Sequence, residues 1–166
     1  MQHLSKTFLA AAMLSLTAAL PAGAQEEKNE TPPQPGWAVT CENAGSGLQC
    51  QALQTIAMRQ TGQRLISVSV RRNPDETSAA MLLHLPHGLF LPAGLEVKID
   101  DGKARQLPVQ TCDARGCYAG MGASKTEIGA MQKGTTLAVS FQNLEKKTIT
   151  VNVPLAGFTA AYNKLQ

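Results

Sequence analysis

Cys41, Cys50, Cys112 and Cys117 are the residues whose type and spacing bear most directly on chemistry. The chain opens with an export leader, described below, and an even cysteine count in an exported chain is the pattern of disulfides. Cys41 and Cys50 flank a polar, glycine-bearing stretch between two short apolar segments. Cys112 and Cys117 flank Asp113-Ala114-Arg115-Gly116, which reads as a tight turn. Each pair closes its own hairpin, so the spacing predicts Cys41–Cys50 and Cys112–Cys117 bridges. Zinc sites favour closely spaced cysteine pairs joined by further cysteine or histidine, and the Cys41 to Cys50 interval is too wide. A thioredoxin-like pair requires C-x-x-C, which the chain lacks.

The other reactive types are weaker candidates. His84 and His87 lie three apart, but Pro86 between them opposes a regular helix, and an extended strand turns them to opposite faces. They read as loop histidines rather than metal ligands. Ser46, in Gly45-Ser46-Gly47, does not match the G-x-S-x-G nucleophile elbow. Asp100-Asp101 before Gly102 fits a turn better than a catalytic carboxylate pair. Gly88, Gly94, Gly102, Gly120 and Gly122 are scattered turn or bulge residues, not a phosphate loop. No catalytic residue, cofactor site or metal site is nominated. The stretch from Leu85 to Gly94 is more distinctive, because Pro86 and Pro92 stiffen an apolar loop. His87, Leu89, Phe90 and Leu91 form a candidate partner-binding loop if they point outward, and core if they point inward. The inward reading is preferred, since large exposed apolar patches are uncommon on monomers.

The elements that position these residues begin after a leader. Lys6, the apolar run from Phe8 to Leu20 and the Ala22-Gly23-Ala24 tripeptide fit a signal peptide over 1–24, cleaved before Gln25. Ser15 and Thr17 interrupt a run already shorter than the roughly 20 residues a membrane span needs, so no span is expected. The segment 25–36, QEEKNETPPQPG, is charged, proline-rich and without apolar period, and reads as a flexible lead. Its Asn29-Glu30-Thr31 is formally a glycosylation sequon and carries little weight. About 140 residues remain, enough for one domain, a single β-rich unit over 37–166. The formal net charge of +3 is spread along the chain, and the Arg71-Arg72 and Lys146-Lys147 pairs make no basic stripe, which argues against nucleic acid as a partner.

Within 37–166 the apolar period is two. Ile66, Val68 and Val70, then Leu95, Val97 and Ile99, then Leu137, Val139 and Phe141, then Ile149, Val151 and Val153 alternate with mostly polar or small residues. Such strands have one buried and one wet face, as in antiparallel sheets. Asp100-Asp101-Gly102-Lys103 and Asn143-Leu144-Glu145-Lys146 are hairpin turns between them. Ser124 and Glu127 form a capping box for one short helix, with Ile128 and Met131 as its apolar face and Gly134 as its stop. The stretch from Gly157 to Tyr162 suits a last helical turn packing Phe158. The predicted fold is all-β, an antiparallel β-sandwich or partly closed barrel with one or two short helices.

The ordered set of Trp37-Ala38-Val39-Thr40-Cys41, Cys50, Leu85-Pro86-His87-Gly88-Leu89-Phe90-Leu91-Pro92-Ala93-Gly94, Val97-Lys98-Ile99-Asp100, Cys112-Asp113-Ala114-Arg115-Gly116-Cys117 and Val153-Pro154-Leu155-Ala156-Gly157-Phe158 resembles the invasion-associated locus B proteins of bacterial envelopes. The resemblance covers nearly all of the chain after the leader. It implies an exported, β-rich, disulfide-bearing protein of a family named for host-cell invasion, with relatives in non-invasive bacteria too. It brings no catalytic residues. The expected function is that of a non-enzymatic envelope protein, periplasmic or else secreted or surface-associated, which binds an unidentified protein or envelope component without a cofactor. A host-directed adhesin or invasion factor is the first alternative. A hydrolase with an unrecognised site is the second, and a deep pocket with convergent polar groups would favour it.

Overall fold

The computed structural model describes residues 36–45, 47–74 and 78–165. The leader 1–24, the lead 25–36 apart from Gly36, the sequon and Ser46 lie outside them. The alternating stretches form strands of two antiparallel sheets. One sheet has six strands, β1 (Ala38–Ala44), β2 (Gly47–Ala57), β3 (Arg64–Arg72), β4 (Ser78–Leu85), β7 (Thr111–Asp113) and β8 (Gly116–Ser124), in the order β1-β2-β3-β4-β8-β7. The other has β5 (Leu95–Ile99), β6 (Arg105–Leu107), β9 (Thr136–Gln142) and β10 (Thr148–Pro154), in the order β10-β9-β5-β6. The sheets do not close, so the architecture is the sandwich and not the barrel.

The core lies between the inner faces. Ile66, Val68 and Val70 of β3 and Met81, Leu83 and Leu85 of β4 are buried on one side, Val97, Leu137, Val139 and Val153 on the other. Ile149 departs from this pattern and is exposed. It is the second residue of β10, the edge strand of its sheet, and Val151 and Val153 further along the same face are buried.

Two short helices pack against each other, Thr159 Oγ1 of one donating to Gln132 O of the other at 2.9 Å. The first, α1 (Lys125–Lys133), starts with the expected capping box: Ser124 Oγ accepts from Glu127 N at 3.2 Å, and Ser124 N donates to Glu127 Oε2 at 2.8 Å. Ile128 and Met131 are its buried face. The second, α2 (Phe158–Tyr162), buries Phe158 completely, edge-on to Trp37 with ring centroids 4.8 Å apart. Asp100 does more than turn the chain after β5. Its carboxylate accepts from Thr135 N, Thr135 Oγ1 and Thr136 N at 2.6–3.2 Å and so fixes the entry to β9. The Thr135 hydroxyl and N–H hold the Asp100 carboxyl below the usual carboxylate range, with Thr136 N–H adding to them and outweighing slight desolvation.

Cys41 bridges Cys50, and Cys112 bridges Cys117. In both hairpins the cysteines stand directly opposite one another in register, which is what brings their Cβ atoms within reach. The bonds tie β1 and β7, the two outermost strands of the same sheet, each to its only neighbour. A strand as short as β7 has few ladder bonds of its own, so its bridge matters locally. Replacing Cys112 and Cys117 by serine is expected to cost about 2–3 kcal/mol in the chain-entropy model. Urea unfolding reads the loss, and amide exchange should accelerate in β7 while β1 stays protected. Unchanged exchange in β7 would contradict this role.

Candidate functional site

The loop after β4 is divided between core and surface. Leu89 is buried and bridges Asn143, and Phe90 N donates to Gln142 O at 2.8 Å, so the loop is laid against the end of β9. Phe90 is half-buried beneath Lys146, whose Nζ stands 5.2 Å from the ring centroid. Leu91 begins a single 3-10 turn and is 48% exposed. On the neighbouring β9–β10 turn, Leu144 is 72% exposed. His87 is also exposed, its Nε2 2.7 Å from Asp113 O. Of the four nominated residues, then, Leu89 is core, Phe90 is intermediate, and His87 and Leu91 face outward.

The same end of the six-stranded sheet carries a polar cluster built on the second disulfide hairpin. His84 stacks on Tyr118 with centroids 4.4 Å apart and planes 20° from parallel. Its Nε2 lies 3.0 Å from both Arg64 Nη2 and Arg115 O, and Arg64 Nη2 also donates to Arg115 O at 3.0 Å. Nε2 can accept from Arg64 or, when it carries the ring proton, donate to Arg115 O, so the tautomer decides which of the two bonds forms. Asp113 accepts from Arg115 N at 2.7 Å and from the Tyr118 hydroxyl at 3.2 Å. The Arg115 N–H holds the Asp113 carboxyl below its ordinary range against slight desolvation, aided by the Arg115 guanidinium and the Tyr118 hydroxyl. His84 and His87 are held apart, each on a different carbonyl. Arg71 and Arg72 are likewise occupied individually, Arg71 with Gln49 Oε1 and Arg72 with Tyr162 O and the Tyr162 ring.

A second feature escapes sequence reasoning. A cleft of about 460 Å³ opens between β8, α1 and the β5–β6 turn. Met81 and Met121, directly opposed on β4 and β8, form one wall; Val97, Ile99 and Leu137 form the other; Met131 closes the helix side. The mouth is charged. Arg105 Nη1 donates to Glu127 Oε1 at 2.9 Å and to Gly122 O at 3.0 Å, crossing from the β5–β6 hairpin to β8 and α1. Burial pushes the Glu127 carboxyl up, but the Ser124 N–H and hydroxyl together with Arg105 outweigh it and hold the group low. The capping box made Glu127 visible in the sequence; its partner Arg105 lies 22 residues away with no local pattern to reveal it. The cleft is mainly apolar.

The family model described as Invasion associated locus B (IalB) protein matches residues 37–166. The chain belongs to this family. Two invasion protein B homologues, from Brucella abortus (strain 2308) and Brucella abortus biovar 1 (strain 9-941), are each 30% identical to it over 164 residues, covering 98% of this chain and 93% of the relative. The crystal structure of invasion associated protein B from Bartonella henselae superposes with a TM-score of 0.72 at 21% identity, covering 77% of this chain and 88% of that one. At that identity the likeness establishes the shared fold. Among the described residues no helix is long and apolar enough to cross a membrane.

Proposed function

We propose that this member of the invasion associated locus B family is exported by a signal peptide over residues 1–24 and acts in the periplasm by binding another macromolecule, without chemical turnover. The observation that carries this reading is the pair of neighbouring turns that hold Leu91 and Leu144 out to solvent while anchoring themselves through Leu89, Phe90 and Asn143. Exposed leucines on anchored turns bind with little ordering cost. His87, on the same loop as Leu91, supplies a polar group of the kind an interface rim needs. The disulfides are compatible with an oxidising compartment.

A photocrosslinking residue at Leu144 in intact cells tests the binding. A discrete adduct to another macromolecule, lost when Leu91→Glu is added, is expected; adducts insensitive to Leu91→Glu, or none, would refute it. Protease shaving places the protein independently. Protection until the outer membrane is permeabilised supports the periplasm, whereas digestion on intact cells would favour the surface-exposed invasion factor that the relatives' names suggest.

A further inference from the structure

We infer that the cleft between the sheets is a binding site for a single-chain amphiphile with an anionic head, an acyl chain ending in a carboxylate or phosphate. This goes beyond the macromolecule-binding reading and uses different residues.

On β8 the inner face is open at one position, where Met121 points inward yet is only half-buried, whereas Met81 opposite it and Ala123 beyond it are buried. A core that merely packed would be expected to fill this space. Three methionines line it instead, and methionine's unbranched, polarisable side chain adapts to chains of different shape. A volume of about 460 Å³ lies in the lower part of the range for small-molecule sites. That size suits one flexible chain and is too small for a folded partner.

The head-group part rests on Arg105. Both of its protein contacts use Nη1 alone. Nε and Nη2, which together form the lateral fork of the guanidinium, engage no partner among the described residues. Two parallel N–H groups are the geometry that grips a carboxylate or phosphate bidentately. Lys103, two residues earlier on the same hairpin, adds a second cation at the mouth. Glu127 is the opposing charge, but it is already committed to Ser124 and Arg105. Its effect is to hold the guanidinium across the opening, so the fork is fixed before a ligand arrives and little ordering cost remains. A cationic head would meet the like charges of Lys103 and Arg105 at the mouth.

Methyl-labelled methionine spectra of the full chain test this directly, because the chain has six methionines and one of the described ones, Met58, stands on an exposed turn away from the cleft. Titration with dodecanoate below its micelle concentration is expected to shift Met81, Met121 and Met131 saturably and to leave Met58 in place. Arg105→Gln should weaken this response about 10–100-fold, the loss expected for a charge-assisted pair of hydrogen bonds. Ala130→Trp, which fills the cleft from an exposed helix position without removing core, should abolish it. Phosphatidylglycerol vesicles separate the occupants: a response with the same dependence on Arg105 would show that the cleft takes a two-chain bilayer lipid and would overturn the single-chain assignment, and a response to free dodecanoate alone identifies a soluble fatty acid. The inference is overturned by absence of any shift, by a Met58 shift equal to the others, by an equal response to dodecyltrimethylammonium, or by full binding in Ala130→Trp. Leu91 and Leu144 take no part in this site, so these outcomes are independent of the crosslinking result.

Discussion

Phe158→Ala should lower the unfolding free energy by about 3–5 kcal/mol, the range for removing a buried aromatic ring. Phe158 has no exposed surface. It packs edge-on against Trp37 and, at 5.5 Å, against Tyr162. Trp37 also donates its indole N–H to Pro154 O at 2.9 Å, which ties the start of the domain to the end of β10. Tyr162 lies under the Arg72 guanidinium at 4.7 Å, and its carbonyl accepts from Arg72 Nη2 at 3.2 Å. A helix of five residues cannot sustain itself in water, so α2 exists because Phe158 is buried. Loss of the ring therefore removes the apolar transfer term, leaves a cavity and releases α2 together. Trp37 is the sole tryptophan, so its emission in a urea titration reports this region without interference. A midpoint shift corresponding to less than about 1 kcal/mol would show that the aromatic cluster is a bystander, because such a value belongs to ordinary surface substitutions.

What the sequence disclosed and what it hid follow from the range over which each signal acts. Alternation is local, so the runs around Val68, Val97, Val139 and Val151 are recognisable as strands before any partner is known. Turn and cap chemistry is local too, and the pairing of Ser124 with Glu127 predicts the start of α1 to the residue. The second helix rests on thinner grounds, a single glycine followed by an apolar ring, and the fold supplies the pocket that makes it helical. Ile149 shows the limit of alternation: period identifies a face, yet Ile149 is exposed on the face where Val151 and Val153 are buried. The loop from Pro86 to Gly94 shows the same limit at a candidate site. Its composition is apolar throughout, yet Leu89 and Leu91, two residues apart, end up in core and solvent because the loop is neither helix nor strand and follows no period. The cleft was invisible for a different reason. It depends on Met81 and Met121 meeting across β4 and β8 and on Arg105 reaching Glu127, and each of these is a contact between segments distant in the chain. Asp100 was legible as a turn residue but not as the acceptor for Thr135 and Thr136, since that role needs β9 beside it.

Gly116→Ala carries the other large effect, an expected loss of about 2–6 kcal/mol from left-handed backbone strain and forced overpacking acting together. Gly116 has φ +147°, a region that only glycine occupies without penalty. Space is lacking as well. A Cβ at this position would collide with the carbonyl oxygen of Leu85 and stand 2.7 Å from His84 Nε2. The carbonyl belongs to the backbone of β4, paired to β8 at Leu85 and Cys117, so it cannot retreat without breaking the ladder. The imidazole can move, but only by leaving Arg64 and Arg115 O and sliding off Tyr118. The same methyl group therefore attacks the hairpin closed by Cys112–Cys117 and the polar cluster resting on it. Gly122→Ala is the matched control, because it lies on the same strand, has no positive φ, and a Cβ there meets nothing within 4 Å. Its effect should stay within about 0.5 kcal/mol, as for an unencumbered surface position. Urea midpoints of the two variants give the comparison, and the His84 ring proton shifts give the mechanism: in Gly116→Ala they should lose the upfield displacement that stacking on Tyr118 imposes. Equal stability of the two variants would mean that the hairpin yields at Gly116, and the disulfide would then be holding a loop that relaxes freely rather than a fixed turn.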